Sequence, residues 1–206
     1  MTSGEHASRC AVLIGGAGSR LGGDKHLREL GGEPLAWWVL DAARHAHLEP
    51  LLVAKHGTPL GRLAGECEVL IETKPDRHPL IGVIAALEQT GEPLVVAPCD
   101  VPLLPAPLLR LLAEAPEPTV VAGPGGVEPL LGRYEPGSIE VLKQAVSSGA
   151  AARAAITQLG AAELGGDPLA ALGDPASYLR NVNTPDELGI LDRELSVPQG
   201  SRSARD

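Results

Sequence analysis

A glycine-rich segment directly after an apolar run constrains this chain more than any other feature. Residues 10–14 are apolar and predict a buried first strand. Glycine tolerates positive φ and lets backbone N–H groups approach a ligand without an intervening Cβ. A strand that runs into such a loop offers donors to phosphate oxygens, and Arg20 and Lys25 add two cations. The segment predicts a polyphosphate site, and its nine positions 15–23 hold five glycines: Gly15, Gly16, Gly18, Gly22 and Gly23.

Two familiar phosphate-loop patterns do not fit this segment. The Walker pattern ends in Gly-Lys-Ser/Thr, and the loop has no Gly-Lys pair. The dinucleotide fingerprint Gly-x-Gly-x-x-Gly is nearly met by Gly16, Gly18 and Gly22, with one residue too many. That fingerprint also needs an acidic residue at the end of the second strand to bind a ribose. The sequence has Ala54-Lys55 there, which argues against a nicotinamide dinucleotide.

A third pattern fits the loop. It reads Gly-Gly-x-x-x-Arg-x-Gly followed by Lys, and it is met by Gly15, Gly16, Arg20, Gly22 and Lys25. This pattern is typical of nucleotidyltransferases that resemble the nucleoside-diphospho-sugar pyrophosphorylases, in which the arginine and the lysine reach over the phosphates. The alternative is a structural glycine-rich turn whose charges are only solvated.

The composition limits the classes of partner that we expect this chain to bind. The net charge of −9 argues against a nucleic acid bound through a broad basic face, so anionic substrates must meet local cations and metal. Three cysteines without zinc spacing and without a signal peptide indicate reduced thiols in the cytoplasm, with Cys10 and Cys99 in the core. No apolar run reaches the length of about 18 residues that a membrane span needs, so no membrane partner is expected.

Predicted strands alternate with predicted helices along most of the chain. This alternation predicts a single α/β domain of the Rossmann-like three-layer α/β/α class with a mostly parallel sheet, over residues 9–195. Residues 1–8 and 196–206 are expected to be disordered tails. Strands are predicted at 10–14, 50–54, 68–72, 94–97, 119–122, 130–134 and 179–182. Helices are predicted at 34–47, at 58–65 with Thr58 as N-cap, around 80–87 before Gly91, at 103–115, at 137–159 with a break near 148–149, and after a Thr184–Glu187 capping box.

Asp100 directly follows the strand predicted at 94–97, at the sheet edge where ligands bind in such folds. Pro98 and Pro102 restrict the backbone around it. Mg²⁺ prefers one or two carboxylates together with phosphate oxygens and water, so a rigidly held Asp100 is the candidate metal ligand. The alternative is a turn aspartate that caps the next helix.

Four further polar residues bear on the predicted site. Asn181 and Asn183 are two residues apart in a segment predicted to be extended, so their amides share one face and can bind a phosphate, a base or a metal. Asn183 could instead only shape the turn before the last helix. Glu72 ends the third strand and could accept base N–H groups or be a solvated strand end. His78 lies at the start of a predicted helix, and we assign it no functional role.

Together these segments resemble the molybdenum cofactor guanylyltransferase family, the synthases of molybdopterin guanine dinucleotide, over about residues 10–190. The resemblance rests on the glycine loop, on His78-Pro-Leu-Ile-Gly82, on Pro98-Cys-Asp-Val-Pro102 and on Asn181-Val-Asn-Thr-Pro-Asp-Glu187. It implies transfer of GMP from GTP to the terminal phosphate of molybdopterin, with release of pyrophosphate and dependence on Mg²⁺. It also brings in molybdoenzymes or cofactor-delivery proteins as candidate partners.

Site residues follow from the same resemblance. GTP would contact Leu13, Gly15, Gly16 and Lys25, with Gly18 in the same loop. Arg20, Lys25 and Asp100 are the candidate catalytic residues, and Asp100 would hold the Mg²⁺. Asn181 and Asn183 would face the pterin side or the metal.

The chain departs from the family pattern at three places that bear on recognition of the base or the acceptor. The family usually has Gly-Pro-Leu-Ala-Gly where this chain has residues 78–82, an asparagine where Ala54 or Lys55 stands, and an aspartate at Glu72. The alternatives therefore include a cytidylyltransferase or sugar-phosphate nucleotidyltransferase. A nicotinamide-binding oxidoreductase domain and a non-catalytic nucleotide-binding module are the alternatives from other classes.

Overall fold

The computed structural model of the chain describes residues 6–14, 24–72 and 78–196. The strands are β1 (Arg9–Leu13), β2 (Glu29–Leu30), β3 (Glu33–Pro34), β4 (Glu49–Lys55), β5 (Glu68–Glu72), β6 (Leu94–Pro98), β7 (Thr119–Gly123), β8 (Gly126–Tyr134) and β9 (Ala162–Leu164). The helices are α1 (Leu35–His45), α2 (Ile81–Thr90), α3 (Ala106–Glu114), α4 (Ile139–Ser147), α5 (Ala152–Leu159), α6 (Asp167–Ala170), α7 (Pro175–Tyr178) and α8 (Pro185–Ser196). Short 3₁₀ turns occur at Lys25–Leu27, Gly61–Leu63 and Pro136–Ser138.

One seven-stranded sheet carries the fold, in the order β5-β4-β1-β6-β8-β7-β9. All neighbouring strands are parallel except β8, which runs antiparallel to β6 and β7. The predicted mostly parallel sheet is therefore confirmed. From β1 the chain first builds outward through β4 and β5 and then returns to place β6 on the other side of β1. This reversal makes the β1–β6 junction the switch point, and in open α/β sheets ligands bind at the carboxyl ends of the strands at such a point.

Apolar side chains cover both faces of the sheet. On one face, residues of α1 and α3 pack against strand residues such as Val12, Leu52 and Val95. On the other face, α2, α4 and α5 pack against Ala11, Val53 and Val96. Neighbouring strand residues alternate between the two clusters, as expected when successive side chains point to opposite faces of a strand. The three-layer α/β/α architecture is thus confirmed.

Glycines set several element boundaries. Gly31 and Gly32 both have positive φ, 61° and 85°, and they turn β2 into β3. Gly91 ends α2 in the left-handed region with φ 68°. Gly149, also at φ 68°, separates α4 from α5, at the break predicted near 148–149.

Two predicted elements are wrong. The helix predicted at 58–65 with Thr58 as N-cap is only the turn Gly61–Leu63, because Gly57, Gly61 and Gly65 all take positive φ. The strand predicted at 179–182 is absent: α7 precedes it, and the Val182 amide donates to the Asp100 carbonyl over 2.8 Å. The Val182 amide therefore bonds residues 179–182 to the segment that follows β6, and not to a neighbouring strand. The sequence analysis also missed the short edge strand β9.

A small third cluster fixes α8 against the rest of the fold. Leu191 and Val182 pack with Leu30 and Leu35 from the β2–β3 hairpin and the start of α1. The Gly31 amide adds a hydrogen bond to Asp192 Oδ1 at 2.7 Å. The position of the segment that precedes α8 is therefore determined by the packing of the helix itself.

The ends of the described chain differ from the predicted tails in one respect. Ala7 is buried and its amide donates to the Ala113 carbonyl over 3.0 Å, so Ala7 packs on the domain ahead of Arg9. Residues 1–5 and 197–206 of the predicted tails lie outside the described residues. Within the part that is described, the helices are too short or too polar to cross a membrane.

Candidate active site

Lys25 joins two side chains that are far apart in the sequence. Its Nζ donates to Asp100 Oδ2 over 2.9 Å and to Asn183 Oδ1 over 2.7 Å. The lysine side chain is 11% exposed and that of Asp100 27%, so solvent screens this ion pair only partly. The structure therefore brings three of the predicted site residues, Lys25, Asp100 and Asn183, to one point.

Backbone contacts at the β1–β6 junction hold Asp100 in place. The Cys99 amide donates to the Leu13 carbonyl over 3.2 Å, which extends the pairing of β1 with β6 by one residue. The Asp100 carbonyl accepts the Val182 amide, so the segment before α8 is bonded to the segment after β6. Helix α3 begins only at Ala106, so the alternative in which Asp100 caps that helix is wrong.

The 3₁₀ turn Lys25–Leu27 positions the lysine. Asp24 stands before it in the left-handed region with φ 44°, and its carbonyl accepts the Leu27 amide over 2.8 Å. His26, which is buried, donates from Nε2 to the Pro59 carbonyl over 2.7 Å. His26, the neighbour of Lys25 in the sequence, is thus held in place by the fold. The Lys25 side chain extends from this turn to Asp100 and Asn183.

Asn183 is held by the capping box of α8. Its amide donates to Glu187 Oε2 over 2.6 Å, the Thr184 amide donates to the same oxygen over 2.9 Å, and Thr184 Oγ1 accepts the Glu187 amide over 3.2 Å. The predicted box is therefore confirmed. The hydrogen bond from the Asn183 amide, helped by the nearby Lys25 charge, lowers the pKa of Glu187 below its ordinary value.

The donor set at this point suits a divalent cation. A carboxylate oxygen and an amide oxygen both approach one cationic group, the Lys25 ammonium, within 2.9 Å. Hard divalent ions take such oxygen ligands and complete their shell with phosphate oxygens and water. The described residues contain no group of three or more His, Cys, Asp or Glu side chains arranged for a metal. Among the described residues, Asp100 and Asn183 are the ones whose oxygens could hold such an ion.

A second polar cluster lies at the ends of β4 and β5. Glu72 is buried there, with Lys55 Nζ 3.7 Å from its Oε2, and burial raises the pKa of the carboxyl while the Lys55 charge lowers it. A Cβ at Gly82 would lie 3.0 Å from Glu72 Oε1 and 3.1 Å from Leu13 Cδ2. Glu72 is therefore not a solvated strand end, and it lies near Leu13, the last residue of β1.

The remaining predicted residues are less fully placed. Gly15, Gly16, Gly18 and Arg20 lie outside the described residues. Asn181 is half-buried in the segment before α8. His78 Nε2 donates to the Ala150 carbonyl over 2.8 Å and its Nδ1 accepts the Leu80 amide over 3.2 Å, so this histidine ties the start of α2 to the α4–α5 connection.

The sequence analysis missed two charged residues near the site. Burial raises the pKa of Glu128, the Arg153 charge lowers it and the Asp100 charge raises it, so Glu128 lies within electrostatic reach of Asp100. Arg153 Nη2 donates to the Gly125 carbonyl over 3.0 Å, in the turn between β7 and β8. The sequence signal that could have found them is the hairpin of β7 and β8. Because β8 runs antiparallel to β6, it begins at the sheet edge where β6 ends.

Comparison with known proteins identifies the family of this chain. The family of MobA-like NTP transferase domains matches residues 10–163. A molybdenum cofactor guanylyltransferase from Cereibacter sphaeroides is 33% identical over 192 residues, 89% of this chain and 95% of that protein. A molybdenum cofactor guanylyltransferase from Cupriavidus necator is 38% identical over 113 residues, 52% of this chain and 54% of that protein.

A solved structure agrees with the fold. The crystal structure of molybdopterin-guanine dinucleotide biosynthesis protein A from Archaeoglobus fulgidus superimposes with a TM-score of 0.78 at 24% identity, covering 91% of this chain and 98% of that chain. The family match and the guanylyltransferase relatives confirm the resemblance derived from the loop, the Asp100 segment and the asparagine segment. The chain belongs to the MobA-like NTP transferase domain family and is a nucleotidyltransferase.

Proposed function

We propose that this chain transfers GMP from GTP to the terminal phosphate of molybdopterin, releases pyrophosphate and depends on Mg²⁺. The observation that carries the proposal is the convergence of Lys25, Asp100 and Asn183 at the β1–β6 switch point, with Lys25 two residues after the glycine-rich segment in the sequence. The names of the full-length relatives support GTP and molybdopterin as the substrates.

The reaction needs positioning and charge neutralisation more than proton transfer. The acceptor phosphate attacks the α-phosphorus of the nucleotide in line, and the bond from that phosphorus to the pyrophosphate oxygen breaks. A phosphate monoester has a second pKa of about 6, so the attacking group is already anionic near neutral pH and no general base is required. The chain must then align the two anions and neutralise their charge.

Each residue of the site has a role in this proposal. Lys25 and Arg20 neutralise the leaving pyrophosphate, with the loop amides around Gly15, Gly16 and Gly18 as hydrogen-bond donors. Asp100 and Asn183 hold Mg²⁺, and Asn181 faces the acceptor. Bound Mg²⁺ supplies charge neutralisation to the phosphate oxygens. When phosphates enter, the Lys25 ammonium exchanges part of its contact with Asp100 for the phosphate oxygens.

Further properties belong to the same proposal. It has one catalytic domain over residues 9–195, acting in the cytoplasm, where free thiols stay reduced. All three cysteines are free; burial raises the pKa of Cys10 and of Cys99 to about 12, so these two thiols are inert core groups. Molybdoenzymes or cofactor-delivery proteins would receive the product.

Pyrophosphate release tests the proposal. With GTP, molybdopterin and saturating Mg²⁺, Asp100→Ala and Lys25→Ala are each expected to lower turnover at least about 100-fold, the effect of removing one electrostatic stabiliser from a transition state. Lys143→Ala is the control, since Lys143 pairs with Glu88 on the outer helices. Near-normal turnover in Asp100→Ala or Lys25→Ala would contradict the assignment. If the unchanged chain turns over CTP and not GTP, the chain is a cytidylyltransferase.

A further inference from the structure

His78 uses both of its ring nitrogens to join two parts of the fold. Its Nε2 lies 2.8 Å from the Ala150 carbonyl, in the connection between α4 and α5, and its Nδ1 lies 3.2 Å from the Leu80 amide, directly before α2. A carbonyl only accepts a hydrogen bond and an amide N–H only donates one. The two partners therefore assign the neutral tautomer of His78, with the proton on Nε2 and a lone pair on Nδ1.

The α4–α5 connection offers little side-chain surface for packing, because residues 150–152 are all alanine. Helix α2 starts at the carboxyl edge of the sheet: a Cβ at Gly82, in its first turn, would lie 3.1 Å from Cδ2 of Leu13, the last residue of β1. The contact with His78 therefore adds a directional link between the α4–α5 connection and this edge, where the candidate site lies.

The first turn of α5 passes the position of this connection on to the β7–β8 hairpin. Arg153 Nη2 donates to the Gly125 carbonyl over 3.0 Å, in the turn of the hairpin. A Cβ at Gly126, which has a φ of 93°, would lie 3.5 Å from Arg153 Nη1. The guanidinium thus lies close against the turn, and the hairpin follows α5 where that helix begins.

The hairpin brings Glu128 to the neighbourhood of Asp100. Glu128 is half-buried and pairs with Val121, the first pair after the register of β7 and β8 shifts. Irregularities of this kind redirect side chains and are frequent next to active sites. Burial raises the pKa of Glu128 most, and the charges of Arg153 and Asp100 shift it in opposite directions, so its carboxyl lies within electrostatic reach of both.

The strand order places this hairpin on the acceptor side of the site. β6 lies between β1, which leads into the glycine loop, and the pair β8 and β7. The proposed function puts the leaving pyrophosphate at the glycine loop. An acceptor that attacks in line must approach the α-phosphorus from the side opposite the leaving group. The hairpin therefore borders the side from which the acceptor approaches.

We propose that His78 is a positioning residue for the acceptor: it fixes the α4–α5 connection against the start of α2, so that Arg153 holds the β7–β8 hairpin beside Asp100. This inference rests on the proposed function, because it takes molybdopterin as the acceptor that reacts beside Asp100. The family pattern usually has glycine where this sequence has His78, and glycine could make neither side-chain contact.

Two substitutions separate the two contacts of His78. His78→Asn still presents an acceptor to the Leu80 amide but is too short to reach Ala150, whereas His78→Gln reaches toward Ala150 with its amide group. With GTP saturating and molybdopterin varied, His78→Asn should raise the KM for the acceptor about fivefold, the effect of one lost hydrogen bond, and His78→Gln should stay within about twofold of the unchanged chain. The Kd of GTP should change by less than about twofold in both variants.

A double-substitution cycle shows whether His78 acts through Arg153. Arg153→Met alone should raise the acceptor KM about fivefold, and adding His78→Asn to it should raise that KM by no more than about twofold further. A further fivefold increase would show that the two residues act independently, and it would overturn the inference. Lys143→Met is the control: it removes the contact with Glu88 elsewhere on α2 and should leave the acceptor KM unchanged.

Two measurements on the full chain need no acceptor. Amide hydrogen exchange of residues 123–128 should be faster in His78→Asn than in the unchanged chain and no faster in His78→Gln, because only the asparagine variant releases the hairpin. Nitrogen-15 spectra of the unchanged chain should show His78 as the Nε2–H tautomer, and the Nδ1–H tautomer would overturn the inference. The tautomer needs no substitution, so it stays informative if a variant fails to fold.

The outcomes distinguish this inference from the proposed function. If the unchanged chain is active but His78→Asn alters neither the hydrogen exchange of the hairpin nor the acceptor KM, the inference alone is overturned. If the unchanged chain releases no pyrophosphate with GTP and molybdopterin, the proposed function is overturned. The exchange rates then still decide whether His78 holds the hairpin.

Discussion

Asn181 and Asn183 show how the site depends on single residues. They are two positions apart, but only the Asn183 amide oxygen accepts from Lys25, over 2.7 Å, and the Asn183 backbone is also held by Glu187. Within the described part of the chain, the Asn181 side chain makes no such contact with Lys25 or Asp100. The two amides are therefore expected to have different roles, although the sequence predicts that they share one face.

Substitution of Asn181 and of Asn183 is expected to affect different kinetic constants. Asn183→Ala should lower turnover about 10–100-fold, because Lys25 and the metal both lose an oxygen partner. Asn181→Ala should act mainly on the KM for the acceptor, since the Asn181 side chain makes no hydrogen bond to Lys25 or Asp100 within the described part of the chain. Steady-state kinetics with each substrate varied in turn separates the two effects. Equal loss of kcat in both variants would contradict the division of roles.

At the scale of the secondary-structure elements, the α8 cap links stability to the site. Thr184 Oγ1 accepts the Glu187 amide, and Glu187 Oε2 accepts two backbone amides in return. Thr184→Ala should lower the free energy of unfolding by about 1 kcal/mol, whereas Thr184→Ser keeps the hydroxyl and should change it little. Urea denaturation of the three proteins measures this. A loss in the serine variant as large as in the alanine variant would show that the hydroxyl is not the cause.

The same cap predicts a pH dependence. The pKa of Glu187 is lowered in the folded chain, first by the hydrogen bond from Asn183, so the ionised carboxylate is the form that stabilises the fold. Its contribution is complete above the ordinary glutamate pKa of about 4.3 and is lost as the pH falls through the lower folded value. Glu187→Gln should therefore flatten the acid side of the stability profile. An unchanged acid slope would contradict this contribution.

Two helix glycines make a matched comparison. Gly189 in α8 has only Arg193 Nη1 near the position of a Cβ, at 3.6 Å, so Gly189→Ala should raise the free energy of unfolding by roughly 0.5–1 kcal/mol. Gly82→Ala places its Cβ 3.0 Å from Glu72 Oε1, so it should gain no stability. Urea denaturation measures both effects. An equal gain in both variants would show that the Glu72 carboxyl does not crowd position 82.

For the whole molecule, the charge distribution requires that anionic ligands bind through local groups. The chain carries a net charge of −9, yet its substrates are expected to be polyphosphates. A long-range field of this sign repels them, so Lys25, the loop cations and Mg²⁺ must supply the attraction at short range. Binding should consequently depend on Mg²⁺ more than on any general electrostatic steering.

A thermal-shift panel of GTP, CTP, ATP, UTP and NAD, each with and without Mg²⁺, tests this at the molecular scale. A ligand at 100 times its Kd stabilises the folded state by about 2.7 kcal/mol, so GTP with Mg²⁺ should raise the Tm most. Asp100→Ala should lose the part of the shift that needs Mg²⁺. A shift with NAD alone would contradict the nucleotidyltransferase proposal for the loop. The largest shift with CTP would indicate that the chain binds CTP in preference to GTP.

Local chemistry made several elements predictable from the sequence. The strand Glu68–Glu72, the end of α2 at Gly91 and the Thr184–Glu187 box are specified by neighbours a few residues apart. The predicted helix at 58–65 is wrong because its glycines take positive φ, and a propensity argument cannot assign φ. The predicted strand at 179–182 is wrong because the Val182 amide is engaged by a carbonyl 82 positions earlier, Asp100.

By itself, the sequence determined the fold class, the phosphate-loop pattern and the candidates Lys25, Asp100 and Asn183, because alternating hydrophobicity and short motifs are local information. Only the tertiary structure decided that Lys25 bridges Asp100 and Asn183, which are 75 and 158 positions away. It also decided that Lys55 and Glu72 meet in the register of β4 and β5, and that Glu128 lies near Asp100. These contacts depend on strand order and helix packing, and no spacing along the chain encodes such distances.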